Sequence, residues 1–516
     1  MTAGRTLLGT LLVATLALAA LVLAALVLAA LGGACDDAFA GTKKGEKTAA
    51  ELAFETGYDS EDAKARADAV AALAEATDAI KVDVISRVVV PREKRADVLA
   101  RAVGVLGRVR DEAAVAELVG LAGRGKVEQR VVYLEALASI DGTAPHNALL
   151  AAVKDREPRI RGMAAYGLGM HRAGDALDAL LVLLSDSAWQ VQSAAIEALP
   201  RLEAKDALKA QAVPALVDML DDYTGRIAVD ASEALARICG RRLGRDAQKW
   251  RRFLAGEDVV PEGAVRAGGP GAGGDGDDDV GEAPPPTEYA SQSERPHFYG
   301  MEVVSNRVVL LLDVSLSMND PIEIDRDRLR RETSQRRAVT GDGAQNAQEP
   351  EDEDHAYDIP WWRIKTRLDL AREQTILLVS QLHEDQFFDI VFFSTEVEPW
   401  MGRLVPANSA NRQKAIAALN AIKPDDKTNT WGALAAAFDL MGNEKKSYEM
   451  GPDELYLVTD GQPSIGDIVD MDQILEAVLQ LHKTKPIRVN CIGIGVNLRF
   501  MKKMCRATGG QAKFFE

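Results

Sequence analysis

The chain has 516 residues and a formal net charge of −17, with 78 aspartate and glutamate residues against 61 lysine and arginine residues. This length is too great for one hydrophobic core and predicts two or more domains, while the excess of acid argues against a nucleic-acid partner and against broad attraction to anionic lipid. Four cysteines, none of them in a CxxC pair, argue against a disulfide scaffold and against a structural zinc site.

The first forty residues contain an apolar segment that predicts contact with a membrane. Residues 7–31 carry no charge, and a run of this length can cross the roughly 30 Å hydrocarbon core of a bilayer as a helix. Three outcomes are open for residues 1–40: an uncleaved anchor, a signal peptide cleaved after Ala40, or a lipoprotein modified at Cys35. All three place the rest of the chain outside the cytoplasm, either secreted or held in the periplasm or cell envelope.

Residues 51–256 are rich in Ala, Leu and Val at helical spacing and contain a repeated pattern. In four copies an Arg or Gln precedes a Val or Ile, in a fifth and weaker copy Asp97 precedes the Val, and small residues or a Leu follow at helical spacing. The Val or Ile of successive copies is Val98, Val131, Ile160, Val191 and Ile227, at intervals of 33, 29, 31 and 36 residues. This pattern resembles short HEAT-type repeats, in which helix pairs stack into an α-solenoid because no pair buries its apolar stripe alone. The concave face of such a stack can bind a second protein, or the array can serve only as a spacer.

Residues 257–296 change in composition to glycine, aspartate and proline, including a run of three aspartates at 277–279. Such a sequence cannot form a core, and its glycines make it flexible. We therefore expect a linker that lets the two folded parts move relative to each other.

Residues 297–516 differ from both preceding segments, because apolar runs typical of strands alternate with helical patterns. The predicted strands cover residues 308–312, 387–393, 455–459 and 487–494, and the predicted helices cover residues 366–382, 411–422, 431–440 and 471–481. Strands alternating with helices predict a doubly wound, Rossmann-like α/β fold. Ligands of this fold bind beyond the carboxyl ends of the strands.

Oxygen-bearing side chains follow two of the predicted strands. Asp313, Ser315 and Ser317 alternate after the first strand, Asp460 follows the third, and Thr428 stands at the head of a helix. Ligands of this kind, with more hydroxyls than carboxylates, suit Mg²⁺ or Mn²⁺. A cation held in this way keeps much of its charge, so it can accept an Asp or Glu carboxylate from a protein partner.

These five residues carry a resemblance to a known family. Asp313-x-Ser315-x-Ser317, then Thr428, then Asp460 resembles the metal-ion-dependent adhesion site of von Willebrand factor A (VWA) domains, over residues 297–516. The resemblance implies that the two serines and the threonine contact the metal directly and that the aspartates often act through water. It also implies a bacterial envelope protein that binds rather than catalyses.

The resemblance has departures. Leu316 replaces a frequent glycine, and Asp426-Lys427 stands where two glycines are usual, so that Lys427 is expected to weaken cation affinity. An insertion at residues 319–360, basic and then acidic, is expected to emerge beside the metal. It can be neutral surface, part of the partner contact, or a segment that occupies the site itself. Trp361 and Trp362 are expected to pack at the start of the next helix.

The leading hypothesis is an extracytoplasmic adaptor that holds one protein at its metal site and a second on its solenoid. The chain is not expected to be an enzyme, because it lacks GxSxG, HExxH and GxxxxGK[ST] motifs and any paired Cys and His. Two alternatives are a structural envelope protein with a merely stabilising metal and a metal-dependent hydrolase.

Overall fold

The structure is a computed structural model that describes residues 47–259, 295–322, 359–442 and 444–515. The apolar segment at residues 7–31, most of the predicted linker and most of the insertion lie outside these residues. Within the described part of the chain, no helix is long and apolar enough to cross a membrane.

The chain divides into two compact units, Met1–Ala148 and Leu149–Glu516. The first unit contains helices α1–α6, and α7 spans the division between the two units. These helices are α1 Ala49–Tyr58, α2 Ala63–Ala72, α3 Asp78–Val84, α4 Ala96–Leu106, α5 Glu112–Ala122, α6 Val127–Leu137 and α7 Thr143–Ala152. A π-helical turn at Ile85–Val89 continues α3 and leads into the short helix Val90–Arg92.

The second unit begins with the remaining helices of the array. They are α8 Pro158–His171, α9 Leu177–Leu183, α10 Trp189–Ala198, α11 Val213–Asp222, α12 Gly225–Cys239 and α13 Ala247–Leu254. Short turns at Leu199–Arg201, Lys205–Ala207 and Leu208–Ala212 join α10 to α11. The prediction of a repeated helical array from the sequence is thus confirmed.

The repeated Val or Ile explains why the helices pack at a regular interval. All five of these residues are buried, and each lies within the first five residues of its helix; the helices are α4, α6, α8, α10 and α12. Small residues let neighbouring helices approach closely: a Cβ built on Gly169 of α8 would lie 2.8 Å from the Cβ of Ala198 in α10. Within each unit, the repeated residue therefore contributes to the core that neighbouring repeats share.

A mixed sheet forms the centre of the C-terminal domain. Its strands are β3 Arg307–Asp313, β4 Phe387–Phe393, β5 Val397–Pro399, β6 Val405–Pro406, β7 Glu454–Thr459, β8 Arg488–Ile494 and β9 Ala512–Phe515. The order is β5-β4-β3-β7-β8-β9, with β6 also paired to β4. Strands β3, β4, β7, β8 and β9 are parallel, whereas β5 and β6 are antiparallel. The sequence pattern did not predict β5, β6 or β9. A hairpin of β1 His297–Phe298 and β2 Met301–Glu302 precedes the sheet.

Helices cover both faces of this sheet, as the continuous apolar strands predict. They are α14 Arg367–Gln381, α15 Ser409–Asn420, α16 Thr430–Asp439, α17 Lys445–Glu449, α18 Met471–His482 and α19 Arg499–Thr508. Val308 and Leu310 of β3 face a core shared with α14 and α15, and Val309 faces a core shared with α16, α18 and α19. The doubly wound fold is therefore confirmed.

The last repeats pack against the amino ends of the central strands. Arg226 of α12 is buried, and its guanidinium donates to the backbone carbonyls of Asp453, 3.1 Å away, and Pro486, 3.0 Å away. Asp453 directly precedes β7, and Pro486 lies two residues before β8. Asp230 of α12 accepts from the Arg226 guanidinium at 2.7 and 2.8 Å. We call this group the repeat–sheet contact.

Further polar contacts join the last repeats to the start of β8 and to the β1–β2 hairpin. Arg488 at the start of β8 pairs with Glu233 of α12 at 2.6 Å, and Arg245 pairs with both carboxylate oxygens of Glu302 at 3.0 Å. The composition of residues 257–296 predicts that the repeats and the sheet move relative to each other. The structure instead packs α10 and α12 in one compact unit with the sheet.

Candidate metal centre

The three alternating residues after β3 are held by the way this strand ends. Asp313 is the last residue of β3, and its Oδ1 accepts from the N–H of Ser315 at 2.9 Å, which turns the chain sharply. A short 3₁₀ helix at Leu316–Asn319 follows. This turn brings the Oγ atoms of Ser315 and Ser317 to within 3.1 Å of each other.

The neighbouring strand brings Asp460 to the same point. Strands β3 and β7 are adjacent and parallel, and the strand order reverses at β3, so their carboxyl ends border one crevice. Thr459, the last residue of β7, donates through Oγ1 to Asp313 Oδ2 at 2.5 Å. Asp460 follows it, and its Oδ1 accepts from Ser317 Oγ at 2.7 Å.

Thr428 reaches this crevice from the loop before α16. Its N–H donates to Ser464 Oγ at 2.9 Å, and its carbonyl accepts from the N–H of Ser464 at 2.9 Å, so the loop is tied to the chain that follows β7. A Cβ built on Gly461 would lie 3.8 Å from both Ser317 Oγ and Thr428 Oγ1. All five residues predicted from the sequence therefore lie around one crevice.

The crevice removes its carboxylates from water. Asp313 and Ser315 are fully buried, and Thr428 and Asp460 are 5% exposed. Burial raises the pKa of Asp313 to about 6, although the hydrogen bonds from Thr459 and Ser315 act in the opposite direction. A buried carboxylate of this kind is stabilised by a nearby positive charge.

The donor atoms fit a small divalent cation. Neighbouring oxygens around Mg²⁺, bound at 2.0–2.1 Å in an octahedron, lie about 2.9 Å apart. The distances of 3.1 Å between the two serine Oγ atoms and 2.7 Å between Ser317 Oγ and Asp460 Oδ1 are close to this spacing. Within the described ranges, no group of three or more His, Cys, Asp or Glu side chains could hold a metal. The site at Asp313 and Asp460 instead depends on hydroxyl oxygens.

Arg367 is a member of this site that the sequence analysis missed. It is the first residue of α14, and its Nη1 donates to Asp460 Oδ2 at 2.8 Å. Its backbone N–H donates to the carbonyl of Asp320, just after the loop that carries Ser315 and Ser317, which we call the serine loop. One signal was present in the sequence: a cation in the first turn of a helix is disfavoured by the helix dipole unless it has a partner.

Two residues that depart from the family pattern lie at the exposed rim of the crevice. Leu316 is 50% exposed, and Lys427 is exposed, with its N–H donating to Thr395 Oγ1. The expectation for the two tryptophans is wrong for Trp362, which is 71% exposed, whereas Trp361 is partly buried against the core. The reason is that α14 begins only at Arg367, so Trp362 precedes the helix on an exposed 3₁₀ turn.

Comparisons with known families match two parts of the chain. Residues 367–514 match the von Willebrand factor type A domain, and residues 146–238 match HEAT repeats. The first match covers most of the central sheet and its helices, and the second covers α8–α12 apart from the last residue of α12.

The chain spans only a small part of the length of the curated relatives that it matches. Inter-alpha-trypsin inhibitor heavy chain H1 of Homo sapiens is 27% identical over 147 residues, which cover 28% of this chain and 16% of the relative. Among solved structures, a von Willebrand factor type A protein from Catenulispora acidiphila is 17% identical, with a TM-score of 0.28 over 42% of this chain and 39% of that chain. The manganese-loaded TRAP protein of Plasmodium vivax is 18% identical, with a TM-score of 0.25 over 39% of this chain and 61% of that chain.

Proposed function

This chain combines HEAT repeats with a von Willebrand factor type A domain, and we propose that it is an extracytoplasmic adaptor that binds a protein partner through a divalent cation. Asp313, Ser315, Ser317, Thr428 and Asp460 would hold Mg²⁺ or Mn²⁺. The bound cation would supply a positive charge that accepts an Asp or Glu carboxylate of the partner.

The observation that carries this proposal is the convergence of oxygen donors from three separate segments on one crevice. The segments follow β3, precede α16 and follow β7, and two adjacent donor pairs are 3.1 and 2.7 Å apart. Two carboxylates beside three hydroxyls leave a bound divalent cation without an excess of negative charge around it. Such a cation remains attractive to a carboxylate from outside.

The packing of the repeats is consistent with a partner that binds at the carboxyl ends of the strands. The repeat–sheet contact covers the amino ends of β7 and β8, whereas Asp313 and Asp460 lie at the carboxyl ends. A strand of six or seven residues separates these edges by roughly 20 Å. The carboxyl edge is therefore free of the repeats of its own unit, and a partner can approach it. A second protein on the repeats themselves is a further part of this proposal.

The experiment that tests this function is capture of partners by the immobilised full chain from envelope extract, in Mg²⁺ and in chelator. We expect a bound protein that is lost in chelator and is also lost with the Asp313→Ala, Ser315→Ala double variant. The Asp426→Ala variant is the control, because it removes an exposed carboxylate near Thr428 that is not one of the five proposed ligands. Capture that is equal in Mg²⁺ and in chelator would favour the structural role, and turnover of the captured protein would favour the hydrolase.

We also propose that the mature protein lies outside the cytoplasm, held or exported by residues 1–40. The support is the uncharged run at residues 7–31, which a soluble surface would not tolerate. A reporter enzyme that folds actively only outside the cytoplasm, fused after Glu516, should be active. The same fusion without residues 1–40 should be inactive, and equal activity of the two would contradict the proposal.

A further inference from the structure

We propose that Arg367 is a built-in competitor of the metal: its guanidinium holds one oxygen of Asp460 and thereby lowers the affinity of the site for divalent cations. This inference rests on the proposed function, since it concerns the same site. It goes further by assigning a role to a residue outside the five predicted ligands.

The first support is the contact itself. The Asp460 side chain is fully buried, and its two oxygens are divided between Ser317 Oγ at 2.7 Å and Arg367 Nη1 at 2.8 Å. A buried carboxylate without a counter-charge is costly, so the guanidinium neutralises Asp460 whether or not a metal is bound. A divalent cation that binds here must share Asp460 with a charge that is already in place.

The second support is the space that the fold keeps for this guanidinium. A Cβ built on Gly495, the residue after β8, would lie 2.9 Å from the Arg367 guanidinium carbon and 3.0 Å from its Nε. Gly495 also has a φ of +71°, a conformation that disfavours residues with a Cβ. The backbone after β8 therefore passes directly against the arginine and confines it beside Asp460.

The third support is the charge balance of the first turn of α14. A positive charge at a helix amino terminus is unfavourable by a few tenths of a kcal/mol or more unless it is paired. Asp320 lies 3.6 Å from the same guanidinium, so this cation is paired by two carboxylates. Its charge lies within a few ångströms of the ligand oxygens, where repulsion of a divalent cation is expected to weaken binding by about tenfold.

The test compares Mn²⁺ uptake by the metal-free full chain, solubilised in detergent, for the native protein and the variants Arg367→Gln, Arg367→Lys and Arg372→Gln. Isothermal calorimetry gives the affinity, and thermal unfolding in chelator and in saturating Mn²⁺ gives the stability. The matched control is Arg372, which lies on the same helix and has the same 23% side-chain exposure but pairs with Asp369 and Glu373.

We expect Arg367→Gln to bind Mn²⁺ about tenfold more tightly than the native chain and to unfold at a lower temperature in chelator, with the loss recovered in Mn²⁺. Arg367→Lys should stay near the native affinity because it keeps the charge, and Arg372→Gln should also stay near it. The gain in Mn²⁺ affinity is the result that a purely structural arginine would not give, because Mn²⁺ stabilises every variant that binds it.

Each other outcome decides between this inference and the proposed function. Native binding that Arg367→Gln leaves unchanged or weakens overturns the inference and leaves the metal site intact. Uptake by Arg367→Gln alone supports the inference in its strongest form, in which the arginine blocks the native site. If neither chain takes up Mn²⁺, the proposed metal site and the inference are both wrong.

Discussion

Replacing Asp313 and Ser315 together with alanine is expected to abolish uptake of Mg²⁺ and Mn²⁺ at this site, with an affinity loss of more than about 100-fold. The physical reason is that two adjacent oxygen donors disappear at once. Asp313 also positions the serine loop, since its Oδ1 accepts from the N–H of Ser315 and its Oδ2 accepts from Thr459 Oγ1. Calorimetric titration of the full chain measures the loss.

The control for this variant is Asp426→Ala, which removes one exposed carboxylate two residues before Thr428. Its cation affinity should stay within about threefold of the native value, because an exposed charge is screened by solvent and salt. Circular dichroism and the unfolding midpoint show whether the double variant keeps its fold. A folded double variant that still binds the cation with native affinity would mean that the ligands lie elsewhere.

The Arg226→Ala variant is expected to lose about 2–3 kcal/mol of stability, because it removes buried hydrogen bonds made by a charged group. Arg226 is 4% exposed, and its guanidinium satisfies Asp230 as well as the carbonyls of Asp453 and Pro486. The variant therefore removes the guanidinium from the Pro486 carbonyl, whereas the Asp453 carbonyl keeps the N–H of Arg488 and Asp230 keeps the Ser193 hydroxyl and the Arg488 guanidinium. The shift of the urea unfolding midpoint of the full chain measures this loss.

Two further variants separate the buried contact from a general effect of charge. Arg237→Ala removes a cation from the same helix whose side chain is 55% exposed and 3.8 Å from Glu233, so it should change stability by no more than about 0.5 kcal/mol. The double variant Arg226→Ala, Asp230→Ala should recover part of the loss, because the carboxylate is removed with its partner. A change below about 1 kcal/mol for Arg226→Ala would show that the repeat–sheet contact does not hold the unit together.

The repeat–sheet contact lies at the amino ends of the strands and the proposed metal site lies at their carboxyl ends, and this arrangement bears on the proposed adaptor function. The sheet between them is a continuous set of buried strands, with Val309, Leu311 and Leu457 in its core. A partner that bound at the crevice would therefore be held at a defined position relative to the last repeats. Loss of the Arg226 contact should weaken that positioning without removing a metal ligand.

The amino-acid sequence by itself determined most of the elements of this fold and pointed to the five residues that we propose as ligands. The repeated Val or Ile is a local signal, since each one begins the apolar stripe of its own helix. Asp313 and Asp460 are also local signals, since each stands where a continuous apolar run ends and such runs predict parallel strands with their carboxyl ends together. Short edge strands such as β5 and β6 were missed because two or three residues carry too little pattern.

Only the tertiary structure decided which distant residues become partners. Arg226 meets the carbonyls of Asp453 and Pro486 across 227 and 260 residues of chain, and nothing in the periodicity of α12 specifies that surface. Arg367 reaches Asp460 because the strand order places β3 beside β7, with α14 returning over the sheet at the edge where both strands end. Hydrophobic periodicity specifies which face of an element is buried. Which cationic side chain pairs with a buried carboxylate depends instead on how whole elements pack against one another.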